Sequence, residues 1–235
     1  MKELLDSNNK ELVAEIESIV PINFIQHKES CYQATVKKDL KGEPTLAKLW
    51  YYEPLSQAKL AHELYHIKIA VLLGDNASMI ILPEENLYAS IFYNKEYCTD
   101  FLNHIEHLIF YNIYKDAGYS DNDFFEYVNP EKAAMHYQNI ISNGIKNEKG
   151  LYNIYRLQEY IRLLVLYIYF PIDNRFKKEK KELKRIAPEM YNIYNTLYKM
   201  VKTIQIKEDE RKRLQDLYME FRKQVIAWIN LRKFI

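Results

Sequence analysis

KLAHELYHIKIA, residues 59–70, is the stretch on which the reading of this chain depends. Its histidines, His62 and His66, stand four residues apart, so on a helix they lie one above the other and can aim ring nitrogens at a single ion. Glu63 is one position round from His62, close enough to reach a water on that ion without ligating it. The surroundings are apolar nearly all round: Leu55, Ala58, Leu60, Ala61, Leu64, Tyr65, Ile67, Ile69, Val71 and Leu72. A helix of that kind is buried rather than solvated. A buried His-Glu-His row needs partners, because unpaired buried charge is costly, and a metal ion is the simplest one.

Working outward, two β-prone runs precede the helix, residues 31–36 and 46–52. The separator KKDLKGEP carries the glycine and proline of a turn, so the pair reads as a hairpin. Pro54 suits the first turn of the metal-motif helix and Gly74 its end. Upstream, residues 2–19 alternate apolar and polar side chains at helical spacing until Pro21 stops them. Downstream comes a brief apolar run, residues 79–82. From about Leu87 the chain turns helical, most clearly over 99–114, with Gly118 as the stop. Further helices are expected at 121–128, 130–143, 151–170, 175–186, 188–205 and 208–234. The expected fold class is mostly α (α+β). A small N-terminal β-hairpin stands before the motif helix and a C-terminal helical bundle follows. Residues 1–145 are expected to form the metal-binding part and 151–235 a bundle packed on it, as two domains or one continuous one.

His62-Glu63-Leu64-Tyr65-His66 is the H-E-x-x-H pattern, and with the strand directly before it the chain resembles the zincin metallopeptidases over residues 31–118. The resemblance implies a Zn²⁺ ion on His62 and His66, with Glu63 as general base towards a metal-activated water. It implies a peptide or protein substrate, bound in extended form by adding a strand at residues 46–52 or their partner. The C-terminal half resembles no family that its residues identify.

A catalytic zinc needs a third protein ligand. No glycine or third histidine follows His66 at once, so it comes from further along. Glu106, forty positions after His66 within NHIEH, is the first choice, as in the gluzincin branch. The residue four further on is Phe110, where thermolysin-like enzymes have an aspartate. Glu85, separated from His66 by eighteen residues, matches the aminopeptidase spacing but follows Pro83 at an apparent helix start. His104 and His107 are the third possibility. His107, or Tyr111 one turn on, also stands where zincins place the donor for a developing oxyanion. Asn103 is a candidate to hold the Glu106 carboxylate. His27 and His136 have no matching partners nearby and read as structural.

Composition narrows the classes. With 48% apolar and 28% charged residues the chain is globular, and 33 basic against 32 acidic residues give no field to gather nucleic acid. The charge run 177–185 reads as a solvated helix face. The most apolar run, 161–170, contains Arg162 and ends at Pro171, too short to span a bilayer. Cys31 and Cys98 lie far apart, as reduced thiols do, and the polar N-terminus is unlike a signal peptide, so a cytoplasmic protein is expected. The residues thus point to a zinc-dependent hydrolase, a metallopeptidase in the first instance. Two alternatives stay open: a zincin-like binding or regulatory protein without turnover, and a helical interaction protein with a coincidental motif.

Overall fold

The structure, a computed structural model, describes residues 2–28, 32–74, 95–125, 130–172 and 174–235. Glu85, Cys31 and the run 79–82 lie outside the described residues. The mostly helical class with a small sheet is as expected: nine α-helices and three strands are present among the described residues.

The chain divides into two compact units, each drawn from several stretches. The first comprises Met1–Gly74, Phe110–Tyr127 and Ile206–Arg211. A 3₁₀ turn (Lys2–Leu4) precedes α1 (Ser7–Glu17), so the single helix expected over 2–19 is broken. The break has a local cause: the Asp6 carboxylate accepts from the Asn9 amide at 2.7 Å, which starts a new helix. Three strands follow, β1 (Ile22–Gln26), β2 (Gln33–Lys38) and β3 (Pro44–Tyr51). The 33–51 hairpin is the one expected. β1 was not expected, and it pairs with β3 in parallel, Phe24 beside Leu49. Because β2 pairs with the other side of β3, β3 is the central strand. Both its edges are occupied, so of the two strands expected to take a peptide, residues 46–52 are corrected, while their hairpin partner β2 lies at the edge of the sheet. Ala47 and Leu49 on β3 are fully buried.

α2 (Gln57–Leu72) carries the motif and starts three residues after Pro54. The Ser56 hydroxyl caps it by accepting from the Lys59 amide at 3.3 Å. At its other end Arg211 donates to the carbonyls of Val71 (3.0 Å) and Leu72 (3.1 Å). These are carbonyls that a helix leaves without internal partners. Asn9, fully buried, ties α1 to the start of α2 by donating to the Gln57 carbonyl and side-chain oxygen, each at 3.0 Å.

α3 (Lys95–Asp116) is continuous through both units, and α4 (Asp121–Phe124) completes the first. The second unit holds α3 up to Ile109 with α5 (Pro130–Asn143), α6 (Ile154–Ile168), α7 (Lys177–Ile186), α8 (Pro188–Val201) and most of α9 (Arg211–Asn230). Its core is aromatic and hydrogen-bonded: Tyr160 donates to the Leu183 carbonyl at 2.9 Å, and Tyr169 to that of Tyr194 at 3.0 Å. Among the described residues no helix is long and apolar enough to cross a membrane.

Candidate metal centre

On α2 the 3.6-residue period sets Leu60, Leu64, Ile67 and Val71 on one row, roughly opposite His62 and His66. All four are buried. The helix therefore spends its apolar row on the core, and the imidazoles point the other way into a wall of aromatic rings. Phe124 lies 5.1 Å from His62 between ring centres, and Phe110 lies 5.3 Å from His62 and 5.1 Å from His66. Tyr114 stands edge-on to His62 at 6.3 Å.

Inside that wall the two imidazoles face each other, with His62 Nε2 and His66 Nε2 3.1 Å apart. Zinc–nitrogen bonds of about 2.05 Å at a tetrahedral angle would set two ligand nitrogens about 3.3 Å apart. The pair is therefore close to coordinating separation. Burial pushes the His62 imidazole well below its ordinary range, and the neighbouring His66 adds to the shift. A neutral ring with a free lone pair is the form that binds a metal.

His107 supplies the third nitrogen. His62, His66 and His107 each offer one ring nitrogen such that all three lie within 4.8 Å of one another. His107 is 2% exposed. It stands one turn before Phe110 on α3, the residue whose ring meets both α2 histidines. Three imidazoles from two helices match the donor set of a catalytic zinc site that keeps its fourth position open. The cluster can hold a metal ion; its donor chemistry favours zinc, copper or nickel over magnesium or calcium, which prefer oxygen.

Glu106, the first choice for third ligand, is not in the cluster. It is half-buried one step of about 100° round α3 from His107. Its charge is felt by the Tyr218 phenol, which burial, and then Glu106, push well above the ordinary range. The third member of the cluster is His107, one of the sequence's alternatives for that place and its candidate oxyanion donor. His104 lies outside the cluster. Its Nδ1–H donates to the Asp100 carbonyl at 3.1 Å, and burial pushes its imidazole down to about 4. Tyr111 is occupied elsewhere, donating to the Asp121 carboxylate at 2.8 Å. Glu63 and Asn103 are half-buried. His136 sits 3.5 Å from Glu159, and the His27 amide closes the end of β1 on the Tyr51 carbonyl at 2.7 Å.

The aromatic wall was not anticipated in the sequence. The signal was present in Phe110 and Tyr114, which share a face of α3 with His107 at i+3 and i+7. No protein-family model, no curated protein and no solved structure matches this chain.

Proposed function

We propose that the chain is a zinc-dependent hydrolase of the zincin type, acting on peptide bonds, with His62, His66 and His107 as the metal ligands. The observation that carries this reading is the convergence of three ring nitrogens within 4.8 Å, two of them on an H-E-x-x-H helix. An H-x-x-x-H row alone is also a common helix surface pattern. A third buried histidine from another helix, arriving at the same point, is not.

A zinc ion held there would supply the Lewis acidity that brings the ionisation of water into the neutral range. Glu63, the residue between the two ligands in the motif, accepts a proton from the attacking water. It returns that proton to the leaving amine as the carbon–nitrogen bond breaks. The rings of Phe110, Tyr114 and Phe124 beside His62, and of Phe110 beside His66, give these two ligands an apolar surround in which charge interactions are stronger than in water. β3 is closed on both sides, so an extended substrate would have to pair with an outer strand of the sheet.

Metal analysis and a cleavage assay test the reading together. The purified protein should carry one zinc per chain. Glu63→Gln should keep that zinc while peptide cleavage falls by about 10²–10⁴-fold. A protein that takes up no zinc even when it is offered sinks the proposal. One that binds zinc but cleaves nothing across a broad peptide library is a binding protein built on the same site.

A further inference from the structure

We infer that Phe110 is the positioning residue of this centre: its ring holds the imidazoles of His62 and His66 with their Nε2 atoms turned toward each other. The inference rests on the metal reading above and adds to it a residue outside the ligand set.

The χ2 torsion of histidine is broad and roughly two-fold, so the α2 backbone alone does not decide where Nε2 points. Something must pack on the ring faces or edges to decide it. Phe110 meets both rings nearly at right angles, 87° to His62 and 83° to His66, with centres 5.3 and 5.1 Å away. One aromatic ring thus abuts both imidazoles of the pair. It is itself fixed from behind, stacked on Tyr65 at 5.3 Å with 14° between planes, and flanked by Phe124 at 5.4 Å. Phe110 is fully buried, so it has no room to swing away. Tyr65 is the last residue of the motif before His66, so the α2 turn that presents the ligands also presents the backstop for the ring that orients them.

The position on α3 adds a second consequence. Phe110 stands one turn after His107, so any shift of α3 along its axis moves the third ligand and this wedge together. Phe110 itself packs on the two α2 ligands. This is the outer-shell role that hydrogen-bonding partners play in many zinc sites, performed here by shape.

The test uses the full chain with Zn²⁺ and, separately, Co²⁺, whose visible absorption reports coordination geometry. Phe110→Leu should fold, by far-ultraviolet circular dichroism, yet bind Zn²⁺ about 10–100-fold more weakly. Its Co²⁺ spectrum should differ in shape from that of wild type. Phe101→Leu is the control for a purely structural effect. Phe101 is equally buried on the same helix, but its ring neighbours are Tyr97, Tyr169, Tyr194 and Phe221. Phe101→Leu should lose thermal stability while keeping wild-type zinc affinity and cobalt spectrum. If Phe110→Leu does not fold, Phe110→Met, which refills the space without a ring, gives the same readout; failure of both to fold withdraws the assignment. Wild-type affinity and spectrum in a folded Phe110 variant would overturn it while leaving the metal reading intact. Wild-type protein that takes neither ion would instead remove the metal reading itself.

Discussion

Two aromatic clusters of similar size show how a core differs from a site. Around Phe101 the rings of Tyr97, Tyr169, Tyr194 and Phe221 pack edge to face or stacked, and each phenol for which a partner is seen bonds within the core. The Tyr97 and Tyr194 hydroxyls meet at 2.7 Å, and Tyr169 donates to the Tyr194 carbonyl. Around Phe110 the rings of Tyr65, Tyr114 and Phe124 pack just as closely, but the polar atoms they surround are the nitrogens of His62 and His66. The first cluster closes its hydrogen bonds with phenols and backbone, which suits a group that need never change partner. The second surrounds two imidazoles on successive turns of one helix, with that of His62 pushed well below its ordinary range by burial, which suits the binding of a ligand.

The sharpest way to break the comparison is to remove one nitrogen. His66→Ala should take the zinc content from one per chain toward none, by elemental analysis after gel filtration, with the helical circular dichroism retained. Next comes the core side. Phe101→Ala should cost about 3–5 kcal/mol of stability. For a chain of this size that is a fall of about 6–20 °C in melting temperature, with zinc content unchanged. If the two variants exchanged phenotypes, the distinction between site and core would be gone.

A smaller effect separates His104 from the ligands. Its imidazole is pushed down to about 4 in the folded chain, against an unfolded value near 6.5. Between those two values the unfolded chain carries a proton that the folded chain does not. Stability supplied by the neutral ring is therefore present above pH 6.5 and lost as the pH falls toward 4, at no more than about 1.4 kcal/mol per pH unit. His104→Gln should flatten the urea-denaturation profile across that window and leave zinc content as it was. An unchanged slope would place the titrating group elsewhere.

Much of this was legible in the sequence, and the failures have physical causes. The motif helix, the hairpin before it and the order of later helices follow from spacing, and glycines such as Gly74 and Gly118 sit at helix ends with φ of 81° and 90°. β1 was missed because INFIQ is short and shows one buried residue among five, so alternation had nothing to register. The third member of the histidine cluster, His107, stands one residue after Glu106, the sequence's first choice. Glu106 and His107 both stand one turn before Phe110. With Phe101, Ile105, Leu108, Ile109 and Phe110 all buried, α3 has little polar face from which to read its rotation. A carboxylate at a core boundary looked more in need of a partner than a histidine did, yet it lies where the Tyr218 phenol feels its charge. Tertiary packing, which periodicity does not encode, decided between neighbours 100° apart.

The mildest test concerns how α2 is held. The aromatic wall fixes the imidazoles sideways, but their height along the helix depends on its ends. Arg211 reaches the last turn from a stretch 139 residues further along the chain and donates to two carbonyls there. A cation at that end also complements the helix dipole. Arg211→Ala should therefore cost about 1.5–3 kcal/mol by thermal denaturation, the range for hydrogen bonds to a charged group. High salt should shrink the difference, since part of it is charge on dipole. Ser56→Ala at the opposite end should cost about 1 kcal/mol and show no such salt dependence, because its cap bond is between neutral groups. Both variants leave the rings around His62 and His66 untouched, so zinc should bind both at full stoichiometry. Loss of zinc in either would mean that the ends of the helix, rather than the rings beside it, set the ligand geometry.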